Sequence, residues 1–475
     1  MFRKKILLIG LAFILIHGRG FSQFECKKEQ AVEVKESWND ASWETFHAKT
    51  VDCISDFKPG KDEVKKTILG SRSDKRVAAN GYFRTERING RWWFVDPDGY
   101  LFYNVGIVEV GPGNSKNQQE IFSRKFESPA AWAEQTVDFL KSYGFNGAGA
   151  WSDEELLREV EEPFAYTLYY NFMKPYLNQY KVKHNIKAFA DAGWQGYSHD
   201  LVFVFHPAFE EFVKQRAKGL SKYKNDKYML GIFSDNEMPI VPDALDRHLK
   251  LLDHDDPGYI AAWSWLRGRK GPDVKIEDIT GKDRDDFIEF YMDRYFSVVS
   301  RAIKENDPNH LYLGCRYNQE EEELKSPGAF RSAGKYCDVI SVNHYRKWEP
   351  DPELNEQWGE WSGIPFIITE WYVKGDDTGM KNESGAGWIV KTQKDRGLFY
   401  QNFTLSLLQS PYCIGWHWFK YQDNDPSDET TDISNRNSNK GIVDIAFEPY
   451  RDLLNEMKMV NMNVYELIDF IENNR

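Results

Sequence analysis

The sequence has few of the features that mark metal-binding and nucleic-acid-binding proteins. Five cysteines occur among 475 residues, and none has the C-x-x-C spacing of a zinc site. No basic run offsets the formal net charge of −13, and an acidic chain of this kind repels phosphate backbones. We found no internal repeats and no low-complexity linkers. We therefore expect no metal, no cofactor and no nucleic-acid partner.

Long apolar runs are also missing, apart from one at the N-terminus. Three basic residues at positions 3–5 precede an apolar run over 6–16, which is shorter than the ~20 residues of a membrane-spanning helix. A small-x-small cleavage site follows at 20–22. This pattern predicts a secretory signal peptide over residues 1–22; an uncleaved anchor is the alternative. We expect an exported protein, periplasmic or secreted, without membrane contact after cleavage.

One disulfide is possible among the five cysteines. Cys26 and Cys53 both lie in the N-terminal region and could form a disulfide in an oxidising compartment. Cys315, Cys337 and Cys413 lie in or beside apolar strand-like runs, where buried free thiols are expected.

Aromatic residues, in contrast, are abundant. Phe, Trp and Tyr make up 15% of the chain, including 16 Trp. Aromatic rings present flat faces that stack on the C–H faces of sugars, while their polar tips take hydrogen bonds. A large aromatic core would explain the same composition, so position along the chain has to decide between the two.

Short β-rich runs alternate with longer helix-like stretches, which predicts a parallel sheet with helical crossovers. An Asp-Pro-Asp-Gly turn at 96–99 between two apolar runs predicts a hairpin. We expect an α/β fold, a (β/α)8 TIM barrel over 81–475, preceded by an N-terminal β-hairpin and an irregular extension over 23–80 that wraps the barrel. The predicted barrel strands are 101–108, 145–150, 165–169, 229–235, 311–315, 338–343, 365–369 and 413–418. The predicted helices are 130–142, 207–222, 285–306, 387–409 and 449–471.

Two glutamates stand where such a barrel carries its chemistry, at the carboxyl ends of the strands. Glu237 follows the predicted fourth strand and Glu370 follows the seventh. Hydrolysis of a glycosidic bond with retention needs one carboxylate to attack the anomeric carbon and one carboxylic acid to protonate the leaving oxygen, ~5 Å apart. Each glutamate alone has a plain alternative, a solvated loop carboxylate. Together they predict a catalytic pair.

The pair Asn236-Glu237, with Glu370 on the seventh strand, resembles the signature of clan A glycoside hydrolases. The resemblance extends from about Tyr82 to the end of the chain. It implies that Glu237 is the acid/base, that Glu370 is the nucleophile, and that Asn236 binds the 2-hydroxyl of the sugar.

Further positions match the clan less specifically. Tyr345 resembles the clan tyrosine that hydrogen-bonds the nucleophile, and its neighbour Asn343 is a further candidate for substrate binding. His344 could hydrogen-bond a sugar hydroxyl, with a structural imidazole as the alternative. A tryptophan on strand eight usually floors the −1 sugar subsite, which points to Trp418 first and Trp416 second. The alternative is that these two rings pack the barrel against its helices.

One departure from the clan concerns a positive charge. Many members carry an arginine near the end of strand two that contacts the nucleophile, but residues 147–151 read Gly-Ala-Gly-Ala-Trp here. Arg316, after the fifth strand, could supply the charge; an ordinary surface arginine is the equal alternative.

Within the clan, the chain is similar to agarase-type enzymes. The similarity lies in the segment 90–99 followed by Val105-Gly106, and in the segments 233–237 and 416–421. It implies a retaining hydrolase that cleaves β-linked galactose units of an algal galactan, agarose-like or porphyran-like, by double displacement, with an oligosaccharide or polysaccharide as partner. The alternatives are a β-glycosidase for other plant or host β-glycans and a catalytically silent carbohydrate-binding barrel.

Overall fold

The computed structural model describes residues 24–61, 63–189, 191–318 and 325–474. The predicted signal peptide lies outside these residues and stays a prediction. Within the described ranges, no helix combines the length and the apolar character needed to cross a membrane.

The strands fall into three sheets, two of four strands and one of nine. In chain order they are β1 (Gln30–Lys35), β2 (Glu44–Ala48), β3 (Arg72–Arg76), β4 (Arg84–Ile88), β5 (Arg91–Val95), β6 (Tyr100–Phe102), β7 (Asn104–Ile107), β8 (Gly147–Ala148), β9 (Ala165–Tyr169), β10 (Met229–Phe233), β11 (Leu311–Tyr312), β12 (Tyr317–Asn318), β13 (Ile340–Asn343), β14 (Phe366–Glu370), β15 (Lys374–Gly375), β16 (Ile389–Val390) and β17 (Cys413–Trp418).

The helices alternate with the strands of the largest sheet. They are α1 (Lys116–Lys125), α2 (Pro129–Ser142), α3 (Glu154–Leu157), α4 (Met173–Lys183), α5 (Pro207–Ala217), α6 (Ala244–Leu249), α7 (Pro257–Lys270), α8 (Gly281–Asn306), α9 (Pro327–Tyr336), α10 (Pro352–Ser362), α11 (Gln393–Leu408), α12 (Arg451–Asn461) and α13 (Val464–Asn473).

The nine-stranded sheet is parallel and curled, in the order β11-β10-β9-β8-β7-β17-β14-β13-β12. Its two edge strands, β11 and β12, are the two ends of one segment, 311–318. The sheet is therefore consistent with a TIM-like barrel whose fifth strand is interrupted between Tyr312 and Tyr317. In a sheet of this kind all strands end on one face, where the polar residues that follow them converge.

The core lies inside the curled sheet and between the sheet and its helices. Helix α11 is buried along most of its length, because it packs against the sheet on one side and against α12 on the other. Aromatic side chains fill this layer; Trp371 stacks on Phe403 with ring centroids 4.2 Å apart. Burial of each such side chain contributes about 2–3 kcal/mol, so most of the aromatic content is structural.

The hairpin predicted at 96–99 is confirmed. Strands β5 and β6 pair antiparallel, and the Asp96 carboxylate accepts hydrogen bonds from the backbone N–H of Asp98 (3.0 Å) and Tyr100 (2.8 Å). Gly99 has φ 92°, and a Cβ there would lie 2.4 Å from the carbonyl oxygen of Val77, so the turn requires glycine.

The first barrel strand differs from the prediction of one strand over 101–108. The chain leaves the N-terminal antiparallel sheet after β6 and enters the barrel sheet with β7. The apolar pattern continues through both strands because both are buried, so it does not mark the change of sheet.

Other boundaries also shift. The predicted helix 387–409 begins with the short strand β16, and this strand pairs with β1 of the N-terminal extension, Val34 opposite Val390. The predicted helix 449–471 is two helices, α12 and α13. Cys26 and Cys53 form a disulfide, whereas Cys315, Cys337 and Cys413 are free and buried, as expected.

Candidate active site

Glu237 lies on the segment that follows β10, with only 7% of its surface exposed. Its φ of 46° is in the left-handed region, which non-glycine residues seldom adopt away from functional sites. Its backbone N–H donates to the carbonyl oxygen of Arg316 at 2.8 Å. This bond holds the strained residue against the interrupted fifth strand.

Asp235, two residues before Glu237, fixes the position of the same segment. Its buried carboxylate accepts hydrogen bonds from the Tyr295 hydroxyl (2.6 Å) and from the backbone N–H groups of Phe172 and Met173 (3.0–3.1 Å) at the start of α4. Burial raises the pKa of Asp235 to about 6, because the hydrogen bonds only partly offset desolvation. The carboxylate thus ties β10 to α4 and α8.

Glu370 is the last residue of β14 and is 4% exposed. Its Oε1 pairs with the Arg316 Nη2 at 2.5 Å, and its Oε2 accepts a hydrogen bond from the Tyr345 hydroxyl. Burial raises the pKa of Glu370, while Arg316, Tyr345 and the more distant charge of Lys440 oppose the rise. Two strong donors therefore stabilise the carboxylate form in a site from which water is largely excluded.

Arg316 connects the two glutamate segments. Its Nη1 donates to the Asn236 Oδ1 at 2.9 Å, and its Nη2 also donates to the carbonyl oxygen of Thr369 at 2.9 Å. The guanidinium is fully buried, with its central carbon 4.4 Å from the Trp151 ring centroid and 5.5 Å from that of Phe233. The positive charge that the residues after strand two lack is thus supplied from the fifth strand.

Asn343, at the end of β13, makes a second connection. Its Nδ2 donates to the Glu237 Oε1 (2.8 Å) and to the Asn236 Oδ1 (3.1 Å), and its Oδ1 accepts from the Thr369 hydroxyl (2.9 Å). One amide therefore joins the segments that carry both glutamates.

Tyr345 also lies close to both carboxylates. Its pKa is raised well above 10.0 by burial and then by the charges of Glu370 and Glu237. The structure thus brings six of the residues selected from the sequence into one cluster: Asn236, Glu237, Arg316, Asn343, Tyr345 and Glu370.

The two tryptophans of β17 lie elsewhere. Trp416 and Trp418 are fully buried on the side of the strand that faces α11. The Trp416 indole N–H donates to the Tyr400 hydroxyl at 2.7 Å, and that of Trp418 donates to the carbonyl oxygen of Lys440 at 3.1 Å. These rings pack the sheet against its helix, so their placement does not support a role as the floor of a sugar subsite.

His344 is placed in the same layer. The ring is buried edge-on against Phe403, with centroids 5.1 Å apart, and burial lowers its pKa to about 3. Successive residues of a strand face opposite sides. Asn343 and Tyr345 therefore face the site, while His344 faces the helices as a structural imidazole, the alternative already considered.

Trp151 belongs to the site but was not selected from the sequence. It follows β8 with φ 57°, is 39% exposed, and carries the Arg316 guanidinium on its ring. Its ring also lies 5.2 Å from that of Tyr169. The available signal was its position directly after the predicted second strand, at the mouth of the barrel.

Beside Trp151 a cavity of about 500 Å³ opens between the loops 109–118, 151–154 and 420–435. Lys420, the basic residue among its lining side chains, is paired with Glu109 at 2.7 Å. The remaining charged groups of the wall are carboxylates: Asp153, Glu154, Asp428 and Asp432. Over the described ranges, no group of three His, Cys, Asp or Glu residues is placed to hold a metal ion. The wall thus offers many hydrogen-bond acceptors and little free positive charge.

Comparison with known proteins finds similar chains, although no family model matches this one. It is 26% identical to β-agarase B of Vibrio sp. (strain JT0107) over 85% of its own length and 50% of that protein, so it spans about half of this curated relative. It is 30% identical to the crystal structure of BpGH50, covering 94% of this chain and 96% of that one with a TM-score of 0.80. The agarase AgWH50C, at 24% identity, 85% and 67% coverage and a TM-score of 0.69, supports the fold alone.

The curled parallel sheet and these relatives place the chain in the class of the glycoside hydrolase families. The chain belongs to the agarase-like glycoside hydrolase family.

Proposed function

We propose that the protein is an exported, retaining hydrolase of an agar-like galactan, built on a (β/α)8 barrel. One observation carries the mechanism: a cation and a hydroxyl hold the buried Glu370, and the amide of Asn343 donates to the buried Glu237 in the same cluster. A cation favours a permanent carboxylate, and an amide N–H bonds the acid and the carboxylate alike.

In the first step, Glu370 attacks the anomeric carbon and Glu237 gives its proton to the glycosidic oxygen, which leaves with the aglycone. A glycosyl ester on Glu370 remains. In the second step, Glu237 takes a proton from water, the water oxygen attacks the anomeric carbon, and the Glu370 carboxylate is released. The product keeps the configuration of the substrate, and Glu237 is protonated again.

Three neighbours assist these steps. Asn236, aligned by Arg316 and Asn343, is the proposed partner of the sugar 2-hydroxyl. Tyr345 orients the attacking oxygen of Glu370. Trp151, partly exposed beside the cavity, replaces Trp418 as our candidate for the aromatic floor of the sugar site, because stacking requires an accessible face.

The proposed substrate class rests on the relatives, and the cavity that adjoins the cluster at Trp151 supports it, although neither glutamate is among the residues that line this cavity. The curated relative named above is a β-agarase. A wall of carboxylates, with its lysine already paired, suits a neutral polyhydroxylated sugar whose hydroxyls donate to acceptors, and it disfavours densely sulfated chains.

The test is incubation of the mature protein with neutral agarose oligosaccharides, sulfated porphyran oligosaccharides and plant β-glycan oligosaccharides. Products are identified by mass and their first-formed anomer by NMR. We expect cleavage of the agarose series with retention. Glu370→Gln should bind these oligosaccharides without turnover, and Glu448→Gln, which removes an exposed carboxylate paired with Lys125, serves as the matched control. An inverted first product would overturn the mechanism, and a wild type that binds but cleaves none of the panel would favour the silent binding barrel.

A further inference from the structure

His417 lies between the two buried tryptophans of β17 but faces the opposite way, into the barrel. Two glycines make room for its ring. A Cβ at Gly106 would lie 2.5 Å from the His417 Cδ2, and a Cβ at Gly149 would lie 2.8 Å from its Nδ1. The side chain is completely buried. The absence of a side chain at these two glycines thus makes room for the imidazole.

The hydrogen-bond network fixes the tautomer of this ring. The Asn146 Nδ2 donates to the carbonyl oxygen of Tyr103, and its Oδ1 accepts from the backbone N–H of Val105 at 2.8 Å. The Asn104 Nδ2 therefore donates to Asn146, at 3.3 Å, and the Asn104 Oδ1 is left facing the His417 Nε2 at 2.6 Å. Because that oxygen can only accept, Nε2 carries the proton.

The ring is neutral, so Nδ1 is a bare acceptor. Burial, together with a smaller effect of the positive charge of Arg316, lowers the pKa of His417 to about 3. Nδ1 has no hydrogen-bond partner within the described ranges. Nδ1 lies on the side of the ring that faces Gly149. Gly149 precedes Trp151 by two residues, and the Arg316 guanidinium packs on the Trp151 ring.

Arg316 has one hydrogen-bond donor without a partner among the described residues. Its Nη1 and Nη2 bond Asn236, Thr369 and Glu370, whereas its buried Nε has no partner among the residues that the structure describes. A buried N–H without an acceptor costs about 1–3 kcal/mol. The unpartnered donor of Arg316 and the unpartnered acceptor of His417 are thus both buried, and the charge of Arg316 acts on the pKa of His417.

We propose that His417 is a positioning residue for the nucleophile: its Nδ1 accepts a hydrogen bond from one water molecule that in turn accepts from the Arg316 Nε, and this bridge orients the guanidinium toward Glu370. The aromatic faces of Trp151 and Phe233 fix the plane of the guanidinium. The bond at Nε fixes its rotation within that plane. A neutral acceptor suits this task, because a carboxylate there would compete with Glu370 for the charge. The inference rests on the proposed role of Glu370.

A matched pair of variants isolates the Nδ1 atom. His417→Asn places an amide oxygen near the position of Nδ1, whereas His417→Gln places its amide nitrogen near Nε2 and removes the acceptor. We expect kcat/KM of His417→Gln at acidic pH to fall about tenfold, as for one charge-assisted hydrogen bond. Its acid limb should move to higher pH, because a looser Arg316 lets the pKa of Glu370 rise. His417→Asn should keep the wild-type limb.

The other charged and titratable groups around Glu370 include Tyr345, Lys440, Glu237 and Tyr169, and they are common to both variants. The difference between the variants therefore reports Nδ1. Equal limbs in the two variants would overturn the proposal and leave His417 as a filler of the barrel interior.

Two further measurements separate this inference from the proposed function. In an Arg316→Lys background, which lacks Nε, His417→Gln should shift the limb no further; an equal additional shift would contradict the proposal. Imidazole ¹⁵N NMR, which needs no activity, should show a neutral ring protonated on Nε2 whose Nδ1 signal moves in Arg316→Lys. A stationary signal overturns the inference, whereas full activity of Glu370→Gln overturns the proposed function instead.

Discussion

Strand β14 and the segment after β10 each present a buried glutamate to the same site, and the described contacts that position the two side chains differ. Around Glu370, an arginine and a tyrosine hydroxyl hold one protonation state. Around Glu237, the amide of Asn343 bonds the side chain, and the backbone of Arg316 holds a strained main chain. A group that must alternate between acid and base needs neighbours that tolerate both forms. In the proposed mechanism, partners from other strands assign the two roles, and the glutamates themselves do not.

The largest effect that tests this comparison is expected at Glu370. Glu370→Gly should lower kcat by on the order of 10³-fold or more, because no group remains to form the covalent intermediate. Azide should restore turnover of an activated aryl β-galactoside with inversion. Activity assays and NMR of the anomers check this outcome. Wild-type activity in the variant would remove Glu370 from the mechanism.

At Glu237 the loss should depend on the leaving group. Glu237→Ala should lose about 10²–10⁴-fold on natural linkages, because general acid catalysis is gone. Aryl glycosides with good leaving groups should lose far less in the first step. Comparison of kcat/KM on the two substrate types measures the difference, and equal losses would mean that the two glutamates are not divided as proposed.

Removal of the positive charge that pairs with Glu370 should shift the pH profile of kcat/KM. The acid limb of kcat/KM follows loss of the proton from Glu370, and Arg316 lowers the pKa of this carboxyl. Arg316→Met should therefore raise that pKa and move the limb to higher pH, with kcat/KM reduced about tenfold or more at acidic pH. Arg331→Met, in which an arginine outside the site loses its charge, should keep the wild-type profile. An unmoved limb in Arg316→Met would show that the ion pair does not set the state of Glu370.

The last prediction distinguishes two aromatic positions. Replacement of Trp151 should have the smallest effect on catalysis, and replacement of Trp418 should have the largest effect on stability. Trp151→Leu should raise KM by about five- to tenfold, because a sugar loses its stacking face. Trp418→Ala should leave KM near the wild-type value but lower the free energy of unfolding by about 3–5 kcal/mol, because it opens a cavity beside α11. Kinetics and thermal melts distinguish the two positions. A raised KM in Trp418→Ala with an unchanged Tm would return that ring to the site.

The sequence predicted the position of both glutamates because a strand-like run ends directly before each, and parallel strands end on one face. It did not predict the orientation of Trp416 and Trp418. All six residues of β17 are buried, so alternation gives no sign of which face meets the helices. Arg316 stayed open because β11 and β12 have only two residues each, and its partners lie about 50 to 80 positions away. The break between α12 and α13 has no proline or glycine to mark it.

The interrupted fifth strand has a consequence for the opening motions of the native protein. Both edges of the large sheet come from 311–318, and Arg316 lies between them, bonded to Asn236, Thr369 and Glu370. Separation of these edges would therefore break the contacts that support Glu370, the proposed nucleophile, and release the Glu237 amide in one event. Native-state hydrogen exchange at the Glu237 amide should then report on catalytic competence, and an inhibitor that bridges the two glutamates should slow that exchange ahead of the rest of the barrel.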